Sequence, residues 1–178
     1  MEVVFLIIAI LALIIVTTTV IVMLIFLIPG LTGAPYVPSK REQVEKVFTK
    51  LYKLSKKDYL IDLGSGDGII LELAAKHGAT TLGLEINPIL ARRTRRKFKN
   101  NSRITIKRCN FYNINFPSET TIIYAYATNL HIKPIYQKIQ RESRRLGKPL
   151  YLISNAFDHP TAKPLKKLGQ HYLYEIVQ

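Results

Sequence analysis

Asp62, Gly64, Gly66, Gly68 and Glu85 are residues whose types and spacing could do chemistry. They stand in the stretch YLIDLGSGDGIILELAAKHGATTLGLE, residues 59–85. Glycines let a backbone approach a ligand closely. Glu85 closes the second apolar run, 17 residues after Gly68, and a carboxylate there can accept hydrogen bonds from both hydroxyls of a ribose. A helix beginning near Asp67 would aim its first amides at the same place, which suits an anionic group. Two ligand classes fit so far, a dinucleotide and S-adenosylmethionine. The dinucleotide fingerprint is G-x-G-x-x-G, whereas Gly64, Gly66 and Gly68 give G-x-G-x-G. Asp62 and Asp67 add negative charge, which suits a sulfonium with an amino group better than a pyrophosphate. Spacing and charge together favour the methyl donor over the dinucleotide and over a bare strand-to-helix turn.

These residues need a scaffold that brings strand ends together. Strands are predicted at 59–63, 80–85, 103–108, 120–127, 149–156 and 171–177, and helices at 67–77, 88–99 and 132–146. This alternation predicts an α/β, Rossmann-like domain: a mostly parallel sheet with helices on both faces. TTIIYAYA and PLYLISNA are almost wholly apolar, as strands covered on both faces should be. In such sheets ligands bind beyond the carboxyl ends of the strands, where Gly64–Gly68 lies. Upstream, Ser39 and Glu42 form a capping box, and Val44, Val47, Phe48, Leu51 and Leu54 follow at helical spacing.

The chain opens differently. Val3 to Ile28 carries no charge and is interrupted only by Thr17, Thr18 and Thr19. About 20 apolar residues span a bilayer core as helix, so one transmembrane helix is expected. A signal peptide fits poorly, since no positive region precedes the run and no A-x-A site follows it. Pro29 and Gly30 should end this helix. The organisation expected is an anchor over 1–29, a Pro/Gly connector over 30–38 and a catalytic domain over 39–178. The connector, extended, reaches ~35 Å, so the domain would work within its own width of the bilayer. Lys40 and Arg41 follow the span with nothing basic before it, which places the domain on the cytoplasmic or mitochondrial matrix side.

The 178 residues carry 26 Lys+Arg against 12 Asp+Glu, a net charge of +14, with Glu2 alone charged before Lys40. That favours an anionic partner: nucleic acid, anionic lipid or an acidic protein. Cys109, the single cysteine, excludes an intramolecular disulfide. With no Cys/His cluster, no metal is expected. ARRTRRKFKN holds Arg92, Arg93, Arg95, Arg96, Lys97 and Lys99. On one helix these point around most of the circumference, so no single basic stripe is expected.

LIDLGSGDG resembles motif I of the class I, seven-strand, S-adenosylmethionine-dependent methyltransferases. The order of an apolar helix, GAPYVPSKREQVEKVF, DLGSGDG and GLEINPILARRTRRK is similar to a narrower family. Its members are membrane-anchored protein-lysine methyltransferases of the adenine nucleotide translocase and of the ATP synthase c-subunit, with prokaryotic relatives. The resemblance implies that Gly64, Ser65, Gly66 and Gly68 line the methionine and ribose of S-adenosylmethionine. It implies that Asp62 faces the amino group, that Glu85 holds the ribose hydroxyls, and that Asn110 sits beside the adenine. Tyr36, Val37 and Pro38 would fold over the cofactor. Asn110 stands where many relatives carry Asp, and Ile69 where they often carry Arg. The early end of the chain implies a minimal sheet.

The acceptor should approach at the end of the fourth strand, where Tyr124, Tyr126, Thr128, Asn129 and His131 are candidates to line its pocket; the alternative is core tyrosines and a polar loop. Nucleobase-amine methyltransferases carry (N/D/S)-P-P-(Y/F) here. This chain has ATNL, which argues against adenine or cytosine amines. The implied partner is a protein substrate, a membrane-protein lysine, with the bilayer held by the N-terminal helix. The alternatives are an RNA or ribosomal-protein methyltransferase, and a tethered binding module without turnover.

Overall fold

The computed structural model describes residues 1–32, 40–126 and 128–177. The chain forms two compact units, Met1–Tyr36 and Val37–Gln178.

The first unit holds one helix, α1, Glu2–Thr32. Its segment Glu2–Met23 has a mean hydropathy of 3.1 and is long and apolar enough to cross a membrane. The hydroxyls of Thr17, Thr18 and Thr19 donate to carbonyls one turn earlier, Thr18 to Ile14 at 2.6 Å and Thr19 to Ile15 at 2.8 Å, so they do not interrupt the helix. The helix runs past Pro29 and Gly30, the residues expected to end it. A proline forfeits one bond of the ladder, and its neighbours keep theirs.

The second unit is built on seven strands: β1 Tyr59–Leu63, β2 Thr80–Glu85, β3 Ile104–Arg108, β4 Ile122–Tyr126, β5 Leu150–Asn155, β6 Lys166–Leu168 and β7 His171–Ile176. Their order is β3-β2-β1-β4-β5-β7-β6. The first five are parallel; β7 runs antiparallel to β5 and to β6. The expected class I sheet is present, with one strand more than the sequence pattern marks. The extra strand, β6, has only three residues, KKL, mostly exposed. It has no apolar pattern and exists because β7 offers it a ladder.

Alternation along the strands splits the core. Leu60, Ile122, Tyr124 and Ile153 face one side. There they pack against helices α2 (Arg41–Lys46) and α3 (Ile69–Lys76), and against Ala91 of α4 (Pro88–Lys97). Ile61, Ile123, Ala125 and Leu152 face the other side and meet Ile132, Ile135 and Ile139 of α5 (Ile132–Leu146). Both faces are covered, as the apolar strands required.

Helix α2 passes into a π-helical turn, Val47–Leu51, so that Val44, Val47, Phe48, Leu51 and Leu54 all reach the core. Ser39, the expected cap, lies outside the described residues; α2 begins after Lys40 without a side-chain cap. Glu42 binds Lys46 at 2.6 Å. Helix α2 is instead tied to α3 by the Arg41 guanidinium, both of whose terminal nitrogens donate to Glu72 at 2.8 Å. That bond to Arg41 leads the effects holding the Glu72 carboxyl down at about 2.

Phe48 is fully buried and edge-on to both Tyr124 and His77. Phe48→Ala is expected to destabilise the sheet unit by about 3–5 kcal/mol, measured by denaturant titration of the full chain in detergent. A loss below about 1 kcal/mol would mean that the π-helical turn does not anchor this face.

Candidate cofactor site

Strand β1 leaves the sheet at Leu63, and the chain turns through Gly64, Gly66 and Gly68, all with positive φ. The amides of Gly64 and Ser65 both donate to the Leu84 carbonyl, at 2.8 and 3.2 Å. The Gly66 amide donates to Glu85 Oε2 at 2.9 Å, and the Asn87 amide to Glu85 Oε1 at 2.8 Å. Glu85 is therefore clasped in place, 6% exposed. Each of its oxygens gives up one acceptor site and keeps another.

Helix α4 closes on the loop from the other side. Asn87 caps it by accepting from the amides of Ile89 and Leu90. The Thr94 hydroxyl donates to the Gly66 carbonyl at 2.6 Å. A Cβ on Gly68 would lie 2.6 Å from Phe98 Cε2 and 2.7 Å from Thr94 Cγ2, and its φ of +75° disfavours a side chain in any case. A Cβ on Gly64 would meet nothing within 4 Å among the described residues. Gly83 on β2 is needed for closeness: a Cβ there would come within 2.7 Å of Ser65 Oγ and 2.6 Å of Leu71 Cδ1.

The site is acidic within a strongly basic chain. Asp62, 3% exposed, titrates well above the usual carboxylate range, first because it is buried, then because Glu85 and Asp67 face it. The sequence suggests that the start of α3 suits an anion. Helix α3 begins at Ile69, two residues later than predicted, and the Ile69 amide already donates to Asp67 Oδ1 at 3.2 Å. That carboxylate takes the place a phosphate would want. The loop is built for positive charge.

The fold brings Asp62, the glycine loop and Glu85 together. Ser65 turns its side chain onto Gly83, and its hydroxyl is buried without a partner among the described residues. Asn110 follows β3, is exposed, and accepts from the Tyr112 amide at 3.0 Å. Tyr36, Val37 and Pro38 lie outside the described residues. Ala125 pairs with Leu63, and Tyr126 ends β4 opposite Asn155 of β5. Thr128 Oγ1 meets His131 Nδ1 at 2.6 Å and Asn129 is exposed, which closes the turn into α5. Tyr124 is a core tyrosine: buried, with its hydroxyl 3.1 Å from His171 Nε2.

Some contributors escape a reading of the sequence. Ala91, Thr94 and Phe98 recur at helical spacing within the arginine-rich run, and that spacing is the available signal. Asn155 gives none. It is 4% exposed, its Oδ1 has no partner among the described residues, and it pairs with Tyr126 and His171 across the strand ends. The next residue, Ala156, has a φ of 81°.

Residues 60–150, about half of the chain, match a family described as the methyltransferase domain. The chain belongs to this methyltransferase family. It is 42% identical over 67 residues to the human ATP synthase C-subunit lysine N-methyltransferase, a match covering 36% of this chain and 28% of that protein. A protein-lysine N-methyltransferase of Saccharolobus islandicus is 29% identical over 119 residues, 63% of this chain and 73% of the relative. The chain thus spans under a third of the human relative's length. Among solved structures, an RNA methyltransferase of Salinibacter ruber in complex with S-adenosyl-L-homocysteine aligns with a TM-score of 0.67. It is 26% identical over 80% of this chain and 95% of that one.

S-adenosylmethionine, the cofactor expected of such a methyltransferase, fits these residues. Its ammonium and sulfonium suit the Asp62, Asp67 and Glu85 carboxyls, and its ribose suits the spare acceptor sites of Glu85. For Asp62 the sign of the pH dependence follows from its raised titration. Ionising it costs the fold stability, a cost absent below the ordinary aspartate range, growing as the pH rises and complete above the raised value. Asp62→Asn should therefore unfold at a higher temperature than wild type at neutral pH, and the gap should close below about pH 4. The same substitution should weaken S-adenosylmethionine binding by about 10- to 100-fold. Calorimetry finding unchanged affinity would remove Asp62 from the site.

Proposed function

We propose that this chain transfers the methyl group of S-adenosylmethionine to lysine side chains of a membrane or membrane-associated protein, with α1 as its anchor. The observation that carries the reading is the Glu85–Gly66 clasp beside Asp62, an acidic cradle in a chain whose relatives are named lysine N-methyltransferases. The apolar span of α1 supports the anchor, and Lys40 and Arg41 after it support a cytoplasmic or matrix-facing domain.

The cofactor supplies a methyl carbon activated by its sulfonium. The rest is alignment. Gly64, Ser65, Gly66 and Gly68 form the floor of the site, Asp62 takes the amino group, Glu85 the ribose hydroxyls and Asn110 the adenine edge. Tyr36, Val37 and Pro38 are assigned the cover. Tyr126, Thr128, Asn129 and His131 line the approach of the acceptor. Lysine must lose a proton before its nitrogen can attack, and a pocket that excludes water lowers its pKa. No separate base is required.

A second reading has its own support: the Salinibacter structure is of an RNA methyltransferase, and the chain carries a net charge of +14. A tethered module that binds without turnover is the third.

The purified protein is expected to bind S-adenosylmethionine and not NAD in calorimetry, and Glu85→Ala should cost about 1–3 kcal/mol of that binding. Membranes incubated with protein and tritiated S-adenosylmethionine should yield a labelled band with methylated lysine by mass spectrometry. Deleting residues 1–28 should spare cofactor binding and reduce that labelling. Efficient labelling of RNA or soluble ribosomes, with membrane lysines untouched, would transfer the case to the second reading. Binding with no transfer to any of these would transfer it to the third.

A further inference from the structure

Helix α4 has two faces with different work. Ala91, Thr94 and Phe98 turn inward and hold the glycine loop. Ile89, Arg92, Arg93 and Arg96 lie outward at i, i+3, i+4 and i+7, a single stripe. The sequence alone suggests basic residues scattered around the helix without one stripe. The fold sorts them. Arg95 donates to the Ile106 carbonyl, and Lys97 to the Asp67 carbonyl with Glu72 nearby. Among the described residues, Arg92, Arg93 and Arg96 make no hydrogen bond or ion pair. With Pro88 and Ile89 they line an open groove of about 420 Å³.

The apolar member of the patch decides its partner. Ile89 is 76% exposed. Nucleic-acid phosphates would satisfy the guanidinium groups and leave this isoleucine in water. The boundary between lipid headgroups and acyl chains satisfies both kinds of side chain at once. We propose that this stripe docks the domain on an anionic bilayer surface, with Arg92, Arg93 and Arg96 on lipid phosphates and Ile89 entering the headgroup boundary. The same helix grips the cofactor loop, so docking would set the cofactor site at the lipid surface. The inference stands on the patch itself and does not depend on which group is methylated.

Both hydrophobic clusters and the entire sheet lie within residues 37–178, so this unit has what it needs to fold without α1. Residues 37–178 should sediment with vesicles of phosphatidylcholine and phosphatidylserine and not with phosphatidylcholine alone. Replacing the three arginines together, Arg92→Gln, Arg93→Gln and Arg96→Gln, should lower partitioning on the order of 100-fold at low salt, since each basic residue near such a surface contributes ~1 kcal/mol. Ile89→Ser should weaken vesicle binding several-fold and leave binding to poly(U) RNA unchanged. Each variant should bind S-adenosylmethionine as wild type does, which confirms its fold. The proposal is overturned if folded variants partition like wild type, or if wild type ignores phosphatidylserine. It is also overturned if poly(U) binds through the arginines more tightly than vesicles do and Ile89→Ser changes nothing.

Discussion

The bond from the Gly66 amide to the Glu85 carboxylate fixes everything else at the site. It joins two segments 19 residues apart and exists only because β1 and β2 are parallel, with Leu63 opposite Leu84. That register puts the end of one strand level with the end of the next. The remaining features make the bond possible: Leu84 receives two loop amides, Thr94 holds the Gly66 carbonyl, and Gly68 leaves room for α4 to close. The carboxylate is held by amides rather than by a cation. Its negative charge adds to the burial that already raises Asp62.

Much of this is legible in the residues. Three glycines at alternate positions between a strand and a helix, with a carboxylate after the next strand, are local signals, and they mark the loop whose Gly66 amide meets Glu85. The strands are legible because Ile-, Leu- and Tyr-rich runs of that length fit a sheet covered on both faces. β6 is not, because KKL carries no apolar alternation and its pairing comes from β7. The end of α1 differs from expectation, since the helix continues through Pro29 and Gly30 to Thr32. The start of α3 differs because its N-cap, Gly68, takes a left-handed conformation, and the Asp67 carboxylate before it accepts from the Ile69 amide.

The candidate site is half legible. Asp62, the glycines and Glu85 declare themselves by type and spacing. Thr94 and Asn155 do not. Thr94 sits among four arginines, and only the turn of α4 separates it from them. Asn155 ends an apolar strand, and its unpartnered oxygen is a property of its neighbours across the sheet. Tyr124 shows the converse: a residue type suited to a pocket, set by strand alternation on the core side.

The packing at Gly83 has a consequence for how such a sequence can drift. The space a side chain at 83 would need is filled by Ser65 and Leu71, which belong to the cofactor loop and to α3. Alanine at 83 requires Ser65 to yield, because its Cβ would lie 2.8 Å from Ser65 Cβ, whereas Leu71 meets it with Cδ1, the far end of a flexible side chain. Positions 83 and 65 are thus coupled: a smaller residue at 65 makes room for a larger one at 83, and the reverse order displaces the loop. What the interior of β2 can accept is then set by the loop above it.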